Sequence, residues 1–226
     1  MKLGILFSGG KDSTYALFLA MQKETVTCLI TIISQNKESF MFHTPNIELT
    51  KLQAEAIGLP YISQVTAGEK EEELTDLKNC IKSAKEEYGI EGIVTGAVAS
   101  VYQTTRVQKI CNELDLWCFN PLWQKEQIEL LNEIVENGFD VIITGVFAEP
   151  LDRTWLGRRV DNKTISELRL LREQYHISPS GEGGEFETTV LDAPFFKKKI
   201  VIIDSSENFL KNSGTLKIKR AVLKEK

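Results

Sequence analysis

The opening residues, MKLGILFSGGKDS, restrict more than any other segment what this chain can become. An apolar run of strand length, residues 2–7, reaches Gly9 and Gly10 and passes at once into residues 12–23, whose spacing predicts a helix. A strand that turns straight into a helix is the opening unit of a parallel α/β sheet. The turn is also chemically equipped. Two glycines let the backbone turn tightly and approach a ligand closely. The free N–H groups and the dipole at a helix N-terminus favour an anion. Ser8 and Ser13 add hydroxyl groups and Lys11 adds a cation. Ligands of open α/β sheets bind at the carboxyl ends of the strands, so Ser8-Gly9-Gly10-Lys11-Asp12-Ser13 reads as a phosphate cradle. It has neither the G-x-x-x-x-G-K-[ST] spacing of a Walker A loop nor the G-x-G-x-x-G spacing of a dinucleotide turn.

Strand and helix patterns then alternate. Strands are predicted at 26–33, 61–65, 92–96, 116–119 and 140–146, and helices at 46–57, 70–88, 100–114 and 124–137. Gly58-Leu59-Pro60 stops the first of these helices. Leu74, Leu77, Ile81, Ala84 and Tyr88 form the apolar face of the second. Such alternation implies parallel βαβ units with helices on both sheet faces. The pattern changes near residue 147. Thr164-Ile-Ser-Glu167 resembles a capping box that opens a helix reaching Tyr175. A glycine-rich stretch, 178–188, follows, and strands at 198–203 and 215–222 come last. The expected fold class is α/β: a Rossmann-like parallel sheet over residues 1–120 and a smaller C-terminal α+β substrate domain over 121–226.

Charge and composition exclude several classes. No apolar run approaches the ~18 residues of a membrane span, and the longest, Val26 to Ile33, is strand length. The N-terminus lacks the features of a signal peptide, so a cytoplasmic location without a membrane partner is expected. The net charge is −5, but residues 195–226 sum to +6 and residues 1–194 to −11. An acidic body disfavours phosphate-backbone binding, so no direct nucleic-acid partner is expected. Cys28, Cys80, Cys111 and Cys118 lack C-x-x-C spacing and read as reduced, mostly buried thiols. Nothing in the sequence fixes the oligomeric state, and a homodimer is left open.

The hexapeptide SGGKDS resembles the loop of the N-type ATP pyrophosphatases, the PP-loop enzymes. They belong to the adenine nucleotide α-hydrolase (HUP) fold type and split ATP into AMP and pyrophosphate while adenylating a substrate. The resemblance implies that Ser8, Gly9, Gly10, Lys11 and Ser13 hold the pyrophosphate end of ATP, with Asp12 near Mg²⁺. Further segments narrow the family: SFMFHTPN (39–46), GAVASVYQTTRVQKIC (96–111), PLWQKEQIELL (121–131), GEGGEFET (181–188) and VLDAPFF (190–196). Together, in this order and over almost the whole chain, they resemble the diphthine–ammonia ligase family. Its members carry out the last step of diphthamide synthesis on translation elongation factor 2, using ATP and ammonium.

That resemblance implies a role for each segment. Lys11, Asp12 and Arg106 become the expected catalytic residues. Arg106 follows Gly96, which ends a strand at the same sheet edge as the cradle, and an Arg in that cleft neutralises phosphate. His43 and Tyr102 join the nucleotide-binding set. The family commonly shows Y-Q-R-x-R-V-E where this chain has Thr104 and Gln108, so no role is carried over to those two positions. Glu182, Gly183, Gly184, Glu185, Glu187 and Thr188 form the expected substrate site. Their carboxylates face the trimethylammonium group of diphthine, with Trp155 or Phe186 as cation–π surfaces. Core packing is an equal alternative for Trp155. Two rival functions stay open: a PP-loop ATP pyrophosphatase acting on a tRNA or a small metabolite, and a non-catalytic adenine-nucleotide sensor.

Overall fold

The computed structural model describes residues 1–36, 45–69 and 72–226. Strands β1 (Lys2–Leu6), β2 (Thr25–Ser34), β3 (Tyr61–Thr66), β4 (Gly92–Val94) and β5 (Trp117–Phe119) form one sheet in the order β3-β2-β1-β4-β5. Every pair is parallel. Helices α1 (Lys11–Met21), α2 (Thr50–Ile57), α3 (Glu72–Tyr88) and α4 (Val101–Glu113) make the crossovers. This is the expected Rossmann-like arrangement. The chain winds outward from β1 to β3, then returns to β4, so the connections leave β1 and β4 in opposite directions. The crevice at their carboxyl ends is where such folds bind ligands.

Side-chain alternation explains the two layers. Leu3 and Ile5 of β1 and Leu29 of β2 point to a core shared with Leu17 of α1, Ile57 of α2 and Leu131 of α5 (Gln127–Glu136). Cys28, Ile30 and Ile32 of β2 point the other way, onto Leu77 and Ile81 of α3 and Val107 and Cys111 of α4. Helices therefore cover both faces, as a sheet of doubly buried strands requires.

Strands β6 (Asp140–Val146), β7 (Phe186–Asp192), β8 (Lys198–Leu210) and β9 (Ser213–Glu225) build a second, antiparallel sheet in the order β7-β6-β9-β8. Three expectations need correction. β6 had been grouped with the parallel strands because its apolar run is uninterrupted. It is buried from Val141 to Val146, and a strand buried on both faces loses its alternation whatever its direction. β7 starts inside the stretch read as a loop, and the β8–β9 hairpin is longer than 198–203 and 215–222. Its outer half is solvent-exposed, so no alternation marks it.

The third correction concerns the helix entry. α6 (Asn162–Tyr175) is capped by Asp161, whose carboxylate accepts from Thr164 N at 2.8 Å. The Thr164 hydroxyl donates instead to Arg159 O, and Glu167 pairs with Arg158. One core continues from Leu3 and Leu17 to Val190 and Ile200, so the two sheets are packed together. We expect Asp161→Ala to lower the free energy of unfolding by about 1 kcal/mol, read by urea titration, and Glu167→Ala to cost less.

Candidate active site

The site starts from how the chain leaves β1. Gly9 sits at φ +75°, and a Cβ there would collide with the Gln53 side chain. Its carbonyl accepts from Gln53 Nε2 at 2.9 Å and from Val190 N at 3.0 Å, while Gln53 also donates to Val190 O at 2.8 Å. The α1 N-cap is Gly10, which has no side chain to satisfy the first turn. Lys11 N is taken by Thr188 Oγ1 at 3.1 Å. The amides of Asp12 and Ser13 have no carbonyl within the helix to bond and are left for an anion. Ser8 and Ser13 hydroxyls lie 3.1 Å apart across the turn. A Cβ on Gly96 would come 2.6 Å from Ser13 N, so only glycine lets the end of β4 lie against this turn.

These groups floor a cavity of about 640 Å³. Its inner wall is apolar, with Leu6, Ile30, Ile32, Leu77 and Val107. Its outer wall comes from the second sheet and the glycine-rich loop, with Glu182, Gly183, Gly184, Phe186, Glu187 and Thr188. Glu182 Oε2 accepts from Ala99 N at 3.0 Å, which ties this loop to the one that precedes α4. The cradle and the carboxylates expected for the two substrates thus share one cavity.

Lys11 is 3% exposed. Its Nζ lies 2.7 Å from Asp12 Oδ2 and 5.6 Å from the centre of the Phe186 ring. The other oxygen, Asp12 Oδ1, is buried without a hydrogen-bond partner among the described residues. A buried carboxylate oxygen with no donor suits a cation, and Mg²⁺ characteristically takes one or two carboxylates and completes its shell with phosphates and water. Asp12 therefore fits Mg²⁺. The described residues offer no cluster of three or more metal-ligating side chains, as an all-protein cage would need.

Several expected residues lie elsewhere. The α4 face that meets the cavity carries Ser100, Gln103 and Val107, following Gly96 and Ala97. Tyr102 and Arg106 occupy the adjacent helical phase and do not line it. Arg106 folds back on its own turn, with its guanidinium carbon 3.4 Å from the Tyr102 ring centre and Nη1 donating to Tyr102 O at 3.2 Å. Glu185 also leaves the substrate set: it accepts from Ser178 N and Gly183 N, at 2.7 and 2.8 Å, and braces the loop. Trp155 is core, 6% exposed under Arg158. His43 lies outside the described residues. Gln53 escaped notice, although a glutamine in the same helical phase as Ala54 and Ile57 was a usable signal.

Burial raises the carboxyl of Glu187 to about 7; Lys11 opposes the rise, and the charges of Asp12 and Glu182 add to it. Glu182 is raised by burial and then by Asp12. A carboxyl whose pKa is higher folded than unfolded stabilises the fold at low pH, and that stabilisation is lost as pH rises through the folded value. Glu187→Gln removes the titration. The Tm of the variant relative to wild type should climb between about pH 5 and about pH 8, measured by scanning calorimetry. A difference independent of pH would contradict the buried carboxyl.

The family model described as the diphthamide synthase N-terminal domain matches residues 1–118, and that of the diphthamide synthase C-terminal domain matches 126–224. The chain is 35% identical over 227 residues to a diphthine–ammonia ligase of Bos taurus, covering 92% of this chain and 84% of that protein. A Homo sapiens protein of the same name gives the same identity and coverages. The Schizosaccharomyces pombe diphthine–ammonia ligase is also 35% identical, over 90% of this chain, but the chain spans only 36% of that longer protein.

Proposed function

The chain belongs to the diphthamide synthase family of enzymes, and from that premise we propose that it is an ATP-dependent amide ligase acting on diphthine. It adenylates the diphthine carboxylate of translation elongation factor 2, amidates it with ammonium and releases AMP and pyrophosphate. The reaction belongs to the cytoplasm, where that factor works; no described helix is long and apolar enough to cross a membrane. The observation that carries the reading is that the phosphate cradle and a carboxylate-lined wall face each other across one cavity.

The apolar inner wall accommodates the adenine, and the cradle takes the phosphates. The substrate carboxylate attacks the α-phosphorus, and the bond to the bridging oxygen of pyrophosphate breaks. Negative charge then grows beside the first turn of α1, where the Asp12 and Ser13 amides, the Ser8 hydroxyl and Lys11 line the cavity floor. Donors fixed before the reaction stabilise that charge without reorganising. Asp12 would hold Mg²⁺, which when bound would supply further neutralisation of the leaving group. Ammonia next attacks the acyl carbonyl, AMP departs, and the amide forms as the nitrogen gives up its extra proton. Glu182 and Glu187 set a negative field for the trimethylammonium group, and the Phe186 ring offers a face beside it.

Lys11→Ala should lower kcat/KM for ATP by about 10²–10³-fold, followed by AMP formation in the presence of diphthine-bearing elongation factor 2 and ammonium. The wild-type products should be AMP, pyrophosphate and one amide in equal amounts. ADP and orthophosphate in their place would refute the reading.

A further inference from the structure

We infer that the outer face of the β8–β9 hairpin is the docking surface for an acidic region of the folded protein acceptor, beside the cavity mouth. This rests on the proposed reaction, whose acceptor is a side chain of a protein. Lys199, Lys217, Lys219, Arg220 and Lys224 are exposed on the hairpin. None has an ion pair or a side-chain hydrogen bond among the described residues, whereas Lys198 and Lys226 are paired with Glu225 and Asp192.

The register makes this arrangement unfavourable within the fold. Lys199 lies directly opposite Lys224, and like charges facing across a strand pair destabilise it. Arg220 has Asp204 opposite it, but Lys199, Lys217 and Lys224 face no acidic residue across the strand pair. Cations gathered at an internal cost and left without partners fit an acidic surface on another molecule.

Position links the hairpin to the chemistry. Glu187 of β7 pairs with Gly145 of β6, and Gly145 pairs with Thr215 of β9. The tip end of the hairpin, at Thr215, is thus two strand spacings, about 10 Å, from the cavity wall, and Lys217, Lys219 and Arg220 follow it along β9. Phe147, which lines the cavity and is 41% exposed, follows β6 directly. Beyond it the Asn212 side chain, next to the hairpin tip, donates to Glu149.

The face is not a bare cation track. Ile203, Leu210 and Val222 are exposed on the same hairpin, at 46%, 72% and 42%. Apolar groups between cations suit a protein surface, while a phosphodiester chain selects charge alone.

The test uses the full chain and intact elongation factor 2 bearing diphthine. Its Kd is measured by calorimetry at about 50 and about 300 mM salt, and amidation kinetics are measured in parallel. The triple variant K217E/K219E/R220E should raise Kd and KM about tenfold, leave kcat within about twofold and flatten the salt dependence. Lys224→Glu should weaken binding while raising Tm, because it converts a like-charge pair into an opposite one, an outcome that misfolding does not produce.

A change in Kd below about twofold overturns the inference, as does a fall in kcat at constant KM. Failure of wild type to bind the factor also overturns it. Displacement of the factor by bulk tRNA in wild type but not in the triple variant assigns the face to nucleic acid instead. Binding that the triple variant weakens as expected, without amidation by wild type, leaves the docking surface standing and removes the proposed reaction.

Discussion

The carbonyl of Gly9 holds the site together. It accepts one bond from the Gln53 side chain on α2 and one from the backbone of Val190 on β7. Gln53 spends its second amide hydrogen on Val190 O, and Thr188 takes the neighbouring Lys11 N. The first parallel strand, a crossover helix and the second sheet thus meet at one peptide. Each of these buried groups is satisfied only while all three are in place, and leaving one unpaired costs about 1–3 kcal/mol. The geometry also explains why position 9 is glycine, because φ is +75° there and a side chain would displace Gln53 and undo the junction.

From this junction follows the electrostatic character of the cavity. Docking β7 on the cradle brings Glu187 close to Lys11 and Asp12, and the loop ahead of it brings Glu182. One buried lysine thus stands among several carboxylates, with an Asp12 oxygen that no donor meets among the described residues. The upward shifts of Glu182 and Glu187 express the same imbalance in another form. Relief comes from protons, from a metal ion beside Asp12, or from a cationic head group on the acceptor. In the proposed reaction, a metal ion beside Asp12 and the quaternary ammonium group of the acceptor would supply such relief.

Much of this was legible in the residues, and the rest was hidden for identifiable reasons. Parallel strands buried on both faces write continuous apolar runs, so β1, β2 and β4 were readable, the edge strands β3 and β5 followed from the strand–helix alternation, and the glycines and lysine of the first turn marked the cradle. The same property disguised β6, whose run says "buried" without saying which sheet. The family resemblance places Tyr102 and Arg106 in the cleft, and the position of Arg106 after Gly96 along the chain points the same way. Helical phase decides the matter instead, and it sends Ser100, Gln103 and Val107 inward. Glu182, Glu185 and Glu187 are indistinguishable as text. Backbone curvature separates them, because the positive φ of Gly181 and Gly184 turns Glu185 back onto Ser178 and Gly183.

The division of labour between the sheets now has a physical basis. The parallel sheet supplies fixed dipoles at one strand edge, which suit phosphate and, on the proposed reading, a leaving pyrophosphate. Selection of the acceptor would then fall to the antiparallel sheet, which meets the cradle through Thr188 and Val190 of β7. One face of the β8–β9 hairpin is fixed by the shared core through Ile200 and Leu216, while the opposite face carries the charge that the fold does not use. The hairpin reaches β7 by way of β6, and β7 carries both Glu187 and the Thr188 contact to the cradle. On the proposed reading, recognition of the acceptor and phosphate chemistry therefore meet within one continuous sheet.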